Sequence, residues 1–269
     1  MPADWSARQY LKYEDQRTRP AHDLMAQVRL EPRPGQEMFA VDVGCGPANS
    51  TALVVARFPE ARVLGIDTSP AMIAAARERL PEARFPQVRF ILDDATSFDP
   101  GRPVDLIFCN AVLQWVPEHE RVFRRLVGLL RPGGVLAVQM PDNLAEPAHT
   151  MMRESALSGP WAERLRAAAS ARSVLPEPGA YYDMLAPLCE SVDIWHTVYN
   201  HPLADAAAVV DWMQSTGLRP FLNACDDSAE QADFLEDYRR RLEDAYPAQT
   251  DGKVLLAFPR LFIVARRRA

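Results

Sequence analysis

The stretch VDVGCGPANST, Val41 to Thr51, carries two glycines one residue apart where an apolar run gives way to a helical pattern. Glycine lacks the Cβ that would keep a ligand off the backbone. Gly44 and Gly46 therefore let N–H groups and a helix N-terminus approach a nucleotide-bearing ligand closely. The spacing G-x-G-x-x-N follows the dinucleotide fingerprint until its last glycine, where Asn49 stands. Asp67 ends the second apolar run, where a carboxylate can accept both hydroxyls of a ribose. Asp94 and Ala95 follow the third run and offer an acceptor and an N–H to an adenine edge; Asn110 ends the fourth. Ligands of open α/β sheets bind beyond the carboxyl ends of the strands, so these positions converge on one crevice. Each alone is also what a turn or helix cap would use. Four in register across successive strands favour a ligand.

The elements that must hold them alternate. Strands are expected at 38–44, 62–67, 88–94, 104–110 and 135–140, with helices between. Ser69 and Pro70 mark a helix start. Val122, Phe123, Leu126, Leu129 and Leu130 form one apolar helical face ending at RPGG. Such alternation predicts a mostly parallel sheet with right-handed crossovers. Beyond Pro141 the pattern is helical up to about Cys189, then a strand at 191–200. A helix carries Ala206, Val209, Val210 and Met213 on one stripe. Another opens on the capping box SAEQ, with Leu235, Tyr238, Leu242 and Ala245 at helical spacing, and a closing strand is expected at 260–267. The expected organisation is a single domain. Its core is 36–140, 190–202 and 253–268, and a helical cap comes from 1–35, 141–189 and 203–252.

Of the 269 residues, 48% are hydrophobic and 25% charged, a globular balance, and the net charge is −6. That charge argues against a broad nucleic-acid surface but leaves room for a local arginine cluster that binds a small anion. No secretory signal or bilayer-length apolar run is read. Cys45, Cys109, Cys189 and Cys225 are scattered, which suits neither a disulfide framework nor a zinc site. A cytoplasmic protein without metal or membrane partners is expected, as a monomer or weak dimer. The terminal ARRRA is read as a solvated chain end.

DVGCGPANS, the acidic Asp67, LDDA, FCNAVLQWV and LRPGGVLAV together resemble class I S-adenosylmethionine-dependent methyltransferases in order and spacing over 38–140. The resemblance implies a seven-stranded Rossmann-like sheet of order 3-2-1-4-5-7-6 with strand 7 antiparallel. It implies that Asp42 and Gly44 to Gly46, with Cys45 and Asn49, hold the methionine portion of S-adenosylmethionine. Asp67 and Thr68 would then face the ribose, Asp94 and Ala95 the adenine, and Met72 the ring, with Asn110 completing the donor pocket. Ala48 stands where that family usually has its third glycine, a change expected to weaken packing little. The position after strand four reads NAVLQW, without the proline pair of many base methyltransferases, which disfavours a nucleic-acid substrate.

The whole chain resembles a narrower family, the trans-aconitate 2-methyltransferases, through RTRPAHDL, QMPDN, EPAHTMMRE, YYDML, VDIWHTVY, TGLRPF and LLAFPRLFIVARR. This implies transfer of a methyl group from S-adenosylmethionine to a carboxylate of trans-aconitate, giving a monomethyl ester and S-adenosylhomocysteine. A carboxylate is ionised at neutral pH, so no general base is needed. A tricarboxylate does need cations, best supplied by the arginine fork. Arg19, Arg153, Arg219 and Arg260 lie in the family-like segments, with His149 one helical turn from Arg153. Tyr181 and Tyr182 could add hydroxyl donors, and Gln114 and Trp115 could position the accepting oxygen. Tyr10 and Arg19 could close over either the donor or the substrate. An arginine or histidine on a helix is also commonly a surface residue, and Trp161, Trp195 and Trp212 are read as packing. A methyltransferase for another small acid or amine, a nicotinamide-dependent dehydrogenase and a non-catalytic binder are the alternatives.

Overall fold

A computed structural model describes residues 14–30, 33, 35–116, 118–214 and 216–269. Seven strands form one sheet of order β3-β2-β1-β4-β5-β7-β6, with β7 antiparallel. They are β1 (Phe39–Val43), β2 (Arg62–Asp67), β3 (Val88–Leu92), β4 (Val104–Asn110), β5 (Leu130–Pro141), β6 (Cys189–Leu203) and β7 (Val254–Arg267). The sheet order implied by the resemblance is therefore the observed one.

The chain divides into two compact units. The first comprises the described residues up to Met140 together with 176–196 and 261–269. In it β1 pairs in parallel with both β2 and β4, and β4 with β5. Helices α1 (Glu14–Gln27), α2 (Asn49–Arg57), α3 (Pro70–Arg79), α4 (His119–Leu129) and α7 (Pro178–Leu185) flank these strands. β1 is apolar except for Asp42, and β4 except for Asp105 and the terminal Asn110, as strands covered on both faces should be. The acid on β4, Asp105, is buried and accepts the Phe39 N–H at 2.8 Å and an Arg131 hydrogen bond. On α4, Val122, Phe123 and Leu126 are buried as expected, while Leu129 is only half-buried. β5 begins at Leu130, earlier than the expected start at 135, because Leu130 already pairs with Val104; RPGG forms an irregularity before pairing resumes at Val135 opposite Leu106. Trp195 on β6 stacks on Phe262 of β7 with ring centroids 4.8 Å apart.

The second unit comprises 141–175 and 197–260. Its helices are α5 (Pro147–Ser158), α6 (Ala162–Ala169), α8 (Ala206–Gln214), the short α9 (Arg219–Leu222) and α10 (Ser228–Ala245). α10 buries Phe234, Tyr238 and Leu242, so Phe234 takes the stripe position expected of Leu235. Its N-cap is Asp227, one residue before the expected serine: the Asp227 carboxylate accepts from the N–H groups of Ala229 and Glu230 at 2.9 Å. A carboxylate there satisfies two orphan donors and complements the helix dipole. α10 also fixes the start of α5. The Tyr238 hydroxyl donates to the Ala148 carbonyl at 2.7 Å, and the Tyr246 hydroxyl accepts the Ala148 N–H at 3.1 Å. Trp161 is buried edge-on to Phe234 at 5.7 Å, and Trp212 is fully buried. These tryptophans are packing, as read from the sequence. Among the described residues no helix is long and apolar enough to cross a membrane.

Candidate active site

β1 ends in a turn whose conformation explains its residues. Gly44 has φ 68°, and a Cβ there would lie 2.4 Å from Val112 Cγ2, so a side chain is excluded by both backbone and space. Gly46 has φ 52° with open space around it. Ala48, the N-cap of α2, also lies in the left-handed region at φ 67°. The third glycine of the family pattern thus answers to backbone conformation rather than to packing. The alanine here holds a strained geometry costing about 1–2 kcal/mol, where packing alone was expected to matter.

The carboxyl ends of β1 to β4 open into a pocket of about 510 Å³, within the range of small-molecule sites. Gly44, Gly46, Asp67, Thr68 and Met72 line it, as do Asp94, Ala95 and Asn110. These eight were all singled out from the sequence. Asp67 latches the turn: its carboxylate accepts the Gly46 N–H at 3.0 Å and the Ser69 N–H at 2.9 Å. Ser69 caps α3 by accepting the Met72 N–H at 3.2 Å, and Pro70 is the first helical residue, as expected. Asp94 spends one oxygen on the Thr96 N–H and hydroxyl at 2.7 and 2.6 Å, which fixes the turn that carries Ala95. Asn110 Oδ1 is buried and has no protein hydrogen-bond partner.

Three candidates from the same motif do not line the pocket. Asp42 is fully buried behind the turn and accepts the Ser50 and Thr51 hydroxyls at 2.8 and 2.6 Å. Burial pushes its carboxyl up to about 7, against those two hydrogen bonds, and the Asp67 charge adds to the rise. The Cys45 side chain is buried, its thiol held protonated by burial and the nearby Asp42 and Asp67 charges, while its N–H donates to Ile66 at 2.9 Å. Asn49 is buried and bridges Thr18 of α1 and Arg79 of α3. The motif therefore mixes residues that meet a ligand with residues that shape the turn, and spacing does not separate them.

After β4, Ala111 has φ 56°, and its carbonyl accepts the Gln114 side-chain amide at 2.7 Å. Gln114 thus braces the strand end and does not line the pocket, whereas Trp115 lines it and is 38% exposed. The sequence reading missed Asp93, Thr96 and Val112, which also line it. Asp93 stands beside Asp94 in the same motif, and both line the pocket. Val112 is apolar and carries no motif; its place is dictated by contact with Gly44.

The remaining candidates are dispersed. Tyr10 lies outside the described residues. Arg19 is exposed on α1. In the first unit Tyr181 is fully buried with its ring 5.3 Å from Phe123, while Tyr182 is 53% exposed. In the second unit Arg260 is buried over the Phe258 ring at 4.7 Å, and Arg219 is half-buried at the start of α9. His149 and Arg153 share one face of α5 and line the same small cavity. Burial, reinforced by the Arg172 and Arg153 charges, pushes His149 down to about 3, so its imidazole is neutral.

The family model described as "Methyltransferase domain" matches residues 41–136, the stretch that carries the glycine turn and the acidic strand ends of this pocket. The fold is also that of the YcgJ protein from Bacillus subtilis (TM-score 0.58, 14% identity, covering 93% of this chain and 99% of that one). It is shared by a phosphoethanolamine N-methyltransferase of Haemonchus contortus solved with S-adenosyl-L-methionine (TM-score 0.53, 15% identity, 93% of this chain and 53% of that one). Similarity along the full length is much higher to trans-aconitate 2-methyltransferases. That of Methylobacterium radiotolerans is 55% identical over 98% of this chain and 99% of its own length, and that of Variovorax paradoxus 52% identical over 99% of each. The chain belongs to the trans-aconitate 2-methyltransferase family.

Proposed function

We propose that this chain transfers the methyl group of S-adenosylmethionine to a carboxylate of trans-aconitate, releasing S-adenosylhomocysteine and a monomethyl ester. The observation that carries this is identity above 50%, over nearly the whole of both chains, to proteins of that activity. The pocket suits the donor. Asp67, Asp93 and Asp94 line it, with Asp42 behind, and this acidity complements a ligand carrying a sulfonium and an ammonium. Its buried Asn110 oxygen offers an acceptor to a polar ligand, and Gly46 leaves open space beside the turn.

When bound, the donor supplies an activated methyl carbon. Asp67 and Thr68 hold the ribose, Asp94 and Ala95 read the adenine edge, Met72 packs on the ring, and the Gly44–Gly46 turn receives the amino-acid portion. One O–C bond forms while the S–C bond breaks, and the bonding pair stays on sulfur. The attacking carboxylate is already ionised, so no residue removes a proton. The work of the protein is alignment and exclusion of water. Trp115 orients the accepting oxygen, and Gln114 supports it by holding the Ala111 turn. Candidate contacts for the acid itself are His149 and Arg153, with Arg219, Arg260, Tyr182 and the hydroxyl of Tyr181; Tyr10 and Arg19 serve the donor or the acid. Four free thiols suit a reducing, cytoplasmic setting, and we assign the chain as a monomer or weak dimer.

Transfer of labelled methyl from S-adenosylmethionine to trans-aconitate, read as a base-labile ester, tests the reading. Absence of ester with trans-aconitate and with every other tricarboxylate offered would overturn it.

A further inference from the structure

Helix α4 carries three arginines in different surroundings. Arg121 and Arg124 are exposed and pair at 2.8 Å with Glu118 and Glu120, the acids at the start of the same helix. Arg125 lies three residues after the buried Val122 and next to the buried Leu126, so it flanks the apolar face and is half-buried. Its guanidinium turns to backbone. It donates to the Ala95 carbonyl at 3.3 Å and to the Phe98 carbonyl, and lies 4–6 residues' breadth inward over the buried Phe98 ring, 5.0 Å from its centroid. A rigid fork that serves two acceptors at once is a property of arginine and not of lysine.

Both carbonyls belong to the turn that follows β3. The Asp94 carbonyl accepts the Ser97 and Phe98 N–H groups at 3.1 and 2.9 Å, which fixes the peptide whose other end is the Ala95 N–H. The next peptide joins the Ala95 carbonyl to the Thr96 N–H. Its N–H is held by the Asp94 carboxylate at 2.7 Å and its carbonyl by Arg125, so the plane is fixed at both ends. Asp94, Ala95 and Thr96 all line the acidic pocket, whereas Arg125 does not. Any effect of Arg125 on a ligand therefore passes through this turn.

We propose that Arg125 is a positioning residue for base recognition: by holding the turn after β3 it aims the Asp94 carboxylate and the Ala95 N–H at the edge of the adenine. This rests on the donor reading of the pocket. Adenine presents a donor at its amino group and an acceptor at the neighbouring ring nitrogen. Hypoxanthine presents an acceptor and a donor at the same two places. An acceptor and a donor held rigidly match the first base and oppose the second, and freeing them loosens both the match and the rejection. Arg125 thereby sets the preference for an adenosyl over an inosyl ligand.

The test compares wild type with Arg125→Gln and Arg125→Lys by calorimetric titration with S-adenosylhomocysteine and S-inosylhomocysteine. Wild type should bind the adenosyl form at least about 100-fold more tightly, because the inosyl base leaves both polar groups of the site unmatched. Failure to bind the adenosyl form overturns the donor reading and this proposal with it, whereas equal binding of the two overturns this proposal alone. Arg125→Gln should weaken the adenosyl form about 5- to 30-fold, roughly the worth of one hydrogen bond, and leave the inosyl form within about twofold. The KM for S-adenosylmethionine should rise by a similar factor while that for trans-aconitate stays within about twofold. A merely structural role would weaken both nucleosides together, so equal weakening, or an unchanged preference, overturns the proposal. Should Arg125→Gln fail to fold, Arg125→Lys keeps the charge but loses the fork. Its adenosyl preference should fall at least about threefold, and an unchanged preference overturns the proposal equally.

Discussion

The pocket at the sheet edge and the small cavity beside α5 are opposites in charge. The first is lined by Asp67, Asp93 and Asp94 with Asp42 buried behind; the second gathers His149, Arg153 and Arg172. A net charge of −6 describes neither. The two ligands of the proposed reaction also differ in charge, a cationic donor and an anionic acid. The regions also differ in how they are built. The acidic pocket is made by one turn and four adjacent strand ends, whereas the basic cavity needs α5, the segment after α6 and the turn at Gly217 to meet.

Substitution at the turn should break the first region most completely. Gly44→Ala meets Val112 and a left-handed backbone together, and should cost about 2–5 kcal/mol with loss of measurable donor binding. Gly46→Ala meets only the backbone term, about 1 kcal/mol. Calorimetric titration with S-adenosylhomocysteine and thermal unfolding of both variants would show whether crowding at Val112 is the decisive difference.

Stability against pH sharpens the contrast, because the two buried groups titrate in opposite senses. His149 has its folded value lowered from 6.5 to about 3, so between these the unfolded chain binds more protons and stability falls as the pH drops. Asp42 has its folded value raised from 3.8 to about 7, so in that window the folded chain binds more protons and stability falls as the pH rises. His149→Gln should flatten the acid-side loss and Asp42→Asn the rise-side loss, each by about 2–4 kcal/mol across its window. Urea unfolding from pH 4 to 8 reads both, and parallel pH profiles in the two variants would contradict the assignment.

Function separates the regions at smaller cost. Asp67→Ala should weaken S-adenosylmethionine and S-adenosylhomocysteine alike by about 10- to 100-fold, leaving the KM for the acid nearly unchanged. Arg153→Ala should do the reverse. If both variants shifted both constants equally, the division of labour would be wrong. Ala48→Gly is the mildest change: relief of the left-handed strain should exceed the added chain entropy by under about 1 kcal/mol, a small rise in Tm.

Much of the donor side is legible in the amino-acid sequence, since it depends on residues near one another in the chain or at equivalent strand ends. Gly44 and Gly46 signal a turn because few other residues tolerate its backbone. Asp67, Asp94 and Asn110 signal a ligand because parallel strands in this topology end at one level. The Ser69 cap and the apolar face of α4 follow from helix geometry alone. The family resemblance also assigns Asp42 and Cys45 to the ligand, because a motif places a residue in a turn without saying which way its side chain points. The buried Tyr181 and the shift from Leu235 to Phe234 have a similar cause: periodicity marks a helical face only to within a residue.

The amino-acid sequence by itself determined the sheet, the glycine turn, the acidic strand ends and the family, all encoded by local conformation or by position along a regular topology. Only the tertiary structure decided that Asp42 serves the turn, that Ala48 bears backbone strain, and that Arg172 and Gly217 join His149 and Arg153. Those outcomes depend on burial and on contacts between distant segments, where desolvation and packing set each group's role and where spacing along the chain carries no record of the neighbours.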